Sequence, residues 1–297
     1  TLNLATNVNA PLLKRAGGEA VLVDSVGNSI LNYNREGLPG TAQSASAALD
    51  TPAIWLDPAN SGVRDFMRDL VLELATRYPD LAGIHFDMLR YPYPLQGSNA
   101  AGVMVGREVG YGYSASSVAR FYRRLEIESP SQLPADYGIA SLLPEGPEWA
   151  DWRRLQLREF VVHLTLPLRQ RFPKLQLSAA VLAPYERAHD YALQAWAEWI
   201  HAGLIDIAIP MVYQRDDLVA FRQASQAVKL VGPEQLKIGI GAWLKVGDQQ
   251  GLARQIEGAY TAGAKGVVLF SYSNLSSLSG ESTLAQSLYG PGFQKPL

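Results

Sequence analysis

The residues best suited to chemistry sit in one stretch, LAGIHFDMLRYP, at positions 81–92. Its apolar run ends at Asp87, and Arg90 follows in the next turn of chain. Side chains alternate along a strand, so Gly83, His85 and Asp87 fall on one face and Ile84 and Phe86 on the other. Barrels of parallel strands carry their chemistry at the carboxyl ends of the strands, which makes Asp87 the first candidate for a catalytic carboxylate. Arg90 nearby is expected to keep it ionised, as suits a nucleophile or an electrostatic stabiliser rather than an acid. The structural alternative is an Asp that caps the following turn or pairs with Arg90.

A second carboxyl group for acid–base work has two leading sources. Glu186, in APYERA, follows the next strand, and Asp216, in PMVYQRD, follows the one after. Their structural alternatives are a solvated loop charge for Glu186 and a helix N-cap ahead of Asp217 for Asp216. Glu145 and Glu148 lie on a long loop that a lid would have to deliver. His85 is expected one layer below Asp87 as a satisfied core group, with a direct role in the site as the sharper alternative. His163, His189 and His201 lie on helices with no ligand spacing to it, so no metal or other cofactor is expected. Aromatic residues gather near strand ends: Tyr91, Tyr93, Tyr185, Tyr213, Trp243 and Tyr272. Flat faces of that kind pack on the apolar faces of sugar rings, although each alone also reads as core, as Trp196 and Trp199 do at helical spacing. Asn7 and Lys245, at other strand ends, are candidates to hydrogen-bond hydroxyls or an acidic sugar substituent. In Asp151-Trp152-Arg153, read as N-cap plus core, Arg153 is the member expected to reach a pocket.

The elements that position these groups follow from pattern. Residues 1–9 read as a strand ending in polar groups, and residues 20–33 as a hairpin around Gly27-Asn28. Val63, Phe66, Met67, Leu70, Val71 and Leu74 recur at helical spacing, with Asn60 or Ser61 as N-cap and Pro79 past the end. This helix feeds the 81–87 strand. From about residue 92 to 148 runs a stretch rich in Gly, Ser, Pro and Tyr, with a short helix near 114–125, which reads as a lid or subsite wall. A helix over about 149–171 follows, kinked by Pro167. LQLSAAVLA from Leu175, IDIAIPMVY from Ile205, LKIGIGAW from Leu236 and GVVLFSY from Gly266 then recur about every 30 residues, the length of a strand plus its return helix. Gly203 and Gly263 mark the intervening helix ends. Strands apolar on both faces and alternating with helices indicate a parallel sheet covered by helices. The predicted architecture is one α/β domain over residues 1–297, a TIM-type (β/α)8 barrel that shows six strands and lacks its first two strand–helix units.

The totals narrow the function. The 297 residues are 47% hydrophobic and 18% charged, ample for a large core. A net charge of −2 and a pI near 6.1 give no general attraction to phosphate backbones or anionic membrane, so no nucleic-acid partner is expected. The absence of cysteine excludes disulfides, thiolate metal sites and thiol catalysis. No apolar run approaches the roughly 18 residues of a membrane span. The chain opens on Thr1, and the expectation is that a leader or a longer amino-terminal part has been removed. The glycines of GREVGYG do not join a strand to a helix in the dinucleotide manner. Composition leaves the oligomeric state open.

Seven blocks in order, WLDPANSGVRDFM, GIHFDMLRYPYP, GYGYSASSVARFY, DWRRLQLREFV, LIDIAIPMVYQRD, IGIGAWLKVGD and GVVLFSY, resemble the bacterial glycosyl-hydrolase-like family ten, whose best-known members act on cell-wall glycan. The resemblance runs from about Leu2 to Tyr272. It implies a TIM-type barrel, an exported protein and hydrolysis of a glycosidic bond, with a polysaccharide such as peptidoglycan strands as substrate. It does not fix the catalytic pair. Glycoside hydrolysis uses one protonated carboxyl and one ionised one, about 5–5.5 Å apart for retention and about 6.5–9.5 Å for inversion. The residues therefore leave Asp87 with Glu186 or Asp216. Absence of a pair in that range would favour a barrel that binds glycan without cleaving it. GIHFD and MVY also resemble chitinase-like barrels, but Met88-Leu89-Arg90 stands where that family carries its glutamate acid, so a substrate-assisted mechanism is not expected.

Overall fold

A computed structural model of the protein describes residues 11–16, 19–25, 27–32, 54–93, 110–125 and 143–271. Asn7, Tyr272 and the strand expected at 1–9 lie outside them. The described residues fall into two compact units, one running to Leu177 and including Glu186–Ala195, the other comprising Ser178–Tyr185 and the chain from Trp196 onward.

The first unit opens with helix α1 (Pro11–Ala16) and the expected turn around Gly27-Asn28. Val23 bridges Ser29, Asp24 Oδ1 accepts from Asn28 N at 2.8 Å, and Gly27 takes φ 87°. Helix α2 (Ser61–Arg77) is capped by Asn60, whose side chain accepts from Val63 N at 3.0 Å. Its buried row is Val63, Met67, Val71 and Ala75. Leu70 and Leu74, expected in the stripe, are 40% and 39% exposed because they lie one position off that i, i+4 row. Strand β1 (Gly83–Phe86) follows, then α3 (Ala115–Arg124) and α4 (Gly146–Arg171). Helix α4 begins earlier than its apolar period suggests, because Pro147 preorganises the first turn. Pro167 lies inside it, as expected. Arg64 ties α2 to α4 through Glu159 Oε2 at 3.1 Å and Gln156 O at 3.0 Å.

Strand β2 (Gln176–Leu182) starts in the first unit, where Gln176 N donates to Ala82 O at 3.0 Å just before β1. In the second unit β2 runs parallel to β3 (Ile207–Val212), β3 to β4 (Ile238–Gly241), and β4 to β5 (Val267–Phe270). Ser178 stands opposite Ile207, Met211 opposite Gly239, and Gly241 opposite Phe270. Helices α5 (Tyr185–Asp190), α6 (Trp196–His201), α7 (Asp217–Val231) and α8 (Gln249–Thr261) connect these strands. Gly203 and Gly263 end two helical segments with φ 66° and 99°, a left-handed geometry that Gly adopts without strain. A parallel sheet whose strands follow chain order, each with its return helix, has the topology of a partial TIM-type barrel. Five of the six expected strands are thus among the described residues. No helix among them is long and apolar enough to cross a membrane.

One buried carboxyl fastens the first unit. Asp57 is fully buried, donates its N–H to Ala20 O at 2.8 Å, and accepts at Oδ1 from Ala59 N at 2.8 Å. Its Oδ2 accepts from Ser114 Oγ at 3.1 Å and Ser117 Oγ at 3.5 Å. Burial pushes its pKa up, against these hydrogen bonds and the charges of Arg120 and Arg64. The raised value means that its contribution to folding is complete below the unfolded value of about 4 and is lost as pH rises through the folded value. Denaturant titrations from about pH 4 to 7 are expected to show wild type losing stability relative to Asp57→Asn as pH rises. Asp57→Ala, which orphans buried donors, is expected to cost about 3 kcal/mol. A wild-type-to-Asn difference that stays constant with pH would overturn the assignment.

Candidate active site

The carboxyl end of β1 presents Asp87. The strand buries Ile84 and Phe86, while His85 and Asp87 are exposed on the other face, so the alternation holds but His85 is not the core group expected. Reduced hydration lowers the His85 pKa, and the Asp87 carboxylate works against that shift. The chain turns sharply after Asp87: Met88 takes φ 53°, its N–H donates to Asp87 Oδ1 at 2.7 Å, and Met88 O accepts from Arg90 N at 2.9 Å. A non-glycine residue in this region costs about 1–3 kcal/mol and is characteristic of functional sites. One oxygen of Asp87 is thereby fixed by backbone and the carboxylate stays exposed.

Arg90 does not salt-bridge Asp87. It is 9% exposed, its guanidinium lies 4.9 Å from the Trp55 ring centroid and 5.3 Å from that of Tyr93, and it donates to Tyr91 O at 3.1 Å. Burial lowers its pKa, with Tyr93 and then Asp87 opposing that shift. Arg187 stacks on Tyr93 as well, at 4.5 Å. Tyr91, expected at an open rim, is 2% exposed, which rules out its ring as a stacking face for sugar. Burial, with the Asp57 charge adding to it, pushes its phenol far above the ordinary range, so it remains a hydroxyl. Arg153 leaves α4 and donates from Nη1 to Tyr111 O at 2.8 Å, its guanidinium 5.5 Å from the Tyr113 centroid and 5.6 Å from that of Trp149. Trp152 beside it is core and Asp151 pairs with Arg154, but the N-cap of α4 is Glu145. Glu186 is exposed in the first turn of α5, a helix that the sequence did not announce, and makes no hydrogen bond among the described residues.

In the second unit aromatic residues lie at three successive strand ends, and two of them, Tyr213 and Trp243, are among those expected. Tyr213 follows β3, Trp243 lies in a 3-10 turn (Ala242–Lys245) after β4, and Phe270 ends β5. Tyr213 and Trp243 meet edge-on at 4.6 Å, Trp243 and Phe270 at 5.7 Å, and Tyr213 and Phe270 lie near parallel at 6.0 Å. Phe270 is 56% exposed and absent from the residues singled out in sequence; its place as the last residue of GVVLFSY's apolar run was the signal. Tyr185 packs edge-on against buried Trp196 at 5.5 Å.

Two candidates here have structural partners. Asp216 Oδ1 accepts from Val219 N at 2.8 Å and so caps α7. Lys245 is 5% exposed, and its ammonium donates to Asp217 Oδ1 at 2.8 Å and Arg215 O at 2.7 Å, which leaves it holding the β4 turn to α7 rather than reaching outward. The Lys245 hydrogen bond, aided by those of Arg254 and Gln255, brings the Asp217 pKa down to about 2. No cluster of His and acidic residues among the described residues has the makings of a metal site.

A family model for glycosyl hydrolase-like 10 matches residues 34–247, and the chain belongs to that family. The matched span contains Asp87, Glu186, Asp216, Tyr213 and Trp243. No curated protein matches the chain.

Two outcomes follow from the second unit. A Cβ at Gly241 would lie 2.8 Å from Trp243 Cζ3 and 3.2 Å from Tyr213 Cδ1, so Gly241→Ala must displace the Trp243 ring. It is expected to shift tryptophan fluorescence with little loss of secondary structure; an unchanged spectrum would show the ring is not held there. The depressed Asp217 value contributes stability above the unfolded pKa of about 4 that is lost as pH falls toward about 2. Asp217→Asn is expected to flatten the acid limb of stability against pH in that window.

Proposed function

We propose that the protein is a glycoside hydrolase that cleaves glycosidic bonds in a polysaccharide, with bacterial cell-wall glycan strands as the substrate. Family membership supports the class of reaction. The observation that carries the reading to this chain's residues is Asp87: an exposed carboxylate immediately past a strand's carboxyl end, one oxygen fixed by a strained turn and no ion pair among the described residues.

In this reading Asp87 is the ionised member, attacking the anomeric carbon or stabilising its developing positive charge. Glu186 is the general acid. Asp216 is set aside because its carboxylate is taken up in capping α7 through Val219 N. Tyr213, Trp243 and Phe270 serve as a hydrophobic platform for sugar faces, a use that accounts for the Phe270 ring left open at a strand end. A cell-wall substrate requires export to the envelope or beyond.

The test is mass-spectrometric analysis of products from peptide-free peptidoglycan strands and a panel of glucans. Wild type is expected to release oligosaccharides, and Asp87→Asn and Glu186→Gln to lose at least about a hundredfold in rate while remaining folded. Full activity in Asp87→Asn would overturn the site. Saturable glycan binding without cleavage by wild type would make the protein a glycan-binding barrel instead.

A further inference from the structure

A cavity of about 190 Å³ in the first unit is lined by Tyr91, Pro92, Gly110, Tyr111, Tyr113, Arg153, Asp190, Tyr191 and Leu193. Arg153 is the one cationic group lining it among the described residues. Among the described residues it has no carboxylate partner: Nη1 is used by Tyr111 O, and neither Nε, which is shielded from solvent, nor Nη2 has a protein acceptor. Desolvation by burial dominates its electrostatics and no acidic residue offsets it. Guanidinium stays charged in proteins, and this half-buried one rests on Tyr111 O and the faces of Tyr113 and Trp149 with no counter-charge among the described residues. The unused Nε–Nη2 edge is the planar fork that donates to both oxygens of a carboxylate. Tyr91, in the same wall and 98% removed from solvent, has a hydroxyl with no partner either.

The Gly110–Tyr113 loop is shaped around these two side chains. A Cβ at Gly112, which takes φ 100°, would lie 3.1 Å from both Arg153 Cδ and Tyr91 Cε1, and one at Gly110 would lie 3.3 Å from Arg153 Nη1. The loop reaches the guanidinium because both positions are glycine. The acidic lining residue, Asp190, is engaged by His189 Nδ1 at 2.7 Å and is mostly exposed, so its charge is partnered and screened.

We propose that this cavity is a carboxylate subsite, in which Arg153 grips an acidic sugar's carboxylate through its Nε–Nη2 edge and Tyr91 donates from its hydroxyl. The sugar part rests on the glycosidase reading; the carboxylate part does not. The volume suits a pendant acidic group, and the phenol, kept protonated by burial, remains a donor at any ordinary pH.

Calorimetric titration of the full chain at constant ionic strength tests this with glucuronate, glucose and acetate. Glucuronate is expected to bind at least about tenfold more tightly than glucose or acetate. Arg153→Lys, which keeps the charge and loses the fork, is expected to weaken glucuronate at least about tenfold, and Tyr91→Phe several-fold. Tyr91→Phe removes only an oxygen, so it keeps the proposal testable should the arginine variant fail to fold. Glucuronate binding no tighter than glucose, or unchanged in both variants, overturns the subsite; equal binding of acetate and glucuronate overturns its assignment to a sugar. Asp87→Asn is expected to retain glucuronate binding. Binding present in a protein that cleaves no glycan would sink the hydrolase reading alone, and cleavage without carboxylate binding would sink this one alone.

Discussion

The first unit depends on the burial of one carboxyl group. Asp57 ties together three pieces of chain: Ala20 in the amino-terminal hairpin, Ala59 ahead of α2, and the start of α3 at Ser114 and Ser117. Arg120 adds a hydrogen bond to Ala59 O at 2.7 Å and closes the set. Around it pack Trp149 and Trp152, stacked at 4.9 Å, with Phe121 edge-on to both. A buried carboxyl is stabilising only when its lone pairs are filled, and a missing partner costs more than the full set gains. That asymmetry makes the hairpin, α2 and α3 close together rather than singly. It also fixes the base on which Tyr91 and Arg153 stand.

The second unit uses the same residue type in the opposite way. Asp217 is partly exposed and surrounded by cations, Lys245 at 2.8 Å and Arg254 at 2.8 Å, so folding favours its charged form where folding disfavours the charge on Asp57. The two groups bracket stability in pH from opposite sides: Asp57 loses its contribution as pH rises and Asp217 loses its own as pH falls. Lys245 is also the last residue of the turn that holds Trp243, so the ion pair that anchors the turn positions the ring. A side chain that looks free in sequence thus acts through its neighbour.

Much of the fold was legible because it is written locally. The 30-residue recurrence located β2 to β5, the Asn60 cap opened α2, and Gly203 and Gly263 closed helical segments, each by a device spanning a few residues. Alternation also placed Asp87 and His85 on one face. Alternation does not say which face is wet, and His85 proved to be on the exposed side because Ile84 and Phe86 claim the packed one. The misplaced residues share a cause. Lys245, Tyr91 and Arg90 each carry a group that suits a sugar site, and each is decided by a partner far away in sequence or by burial: Asp217 for Lys245, the Gly110–Tyr113 loop for Tyr91, Trp55 for Arg90. Residue type announces a chemical capacity, whereas long-range packing decides whether that capacity is already used.

This distinction separates the candidate groups more sharply than their positions at strand ends do. Lys245, Asp216 and Arg90 have their polar or cationic capacity taken up within the fold, by an ion pair, a helix cap and an aromatic stack. Asp87 and Glu186 keep exposed carboxylates, and Arg153 keeps a charged edge with no acceptor among the described residues. Phe270 keeps an open apolar face, against a cost of about 25 cal/mol per Å² for apolar surface left in water. The open ring and the cationic edge are each unfavourable for folding, whereas the solvated carboxylates are neutral to it. In a glycosyl hydrolase-like protein these are the groups whose chemical capacity the fold has not already used.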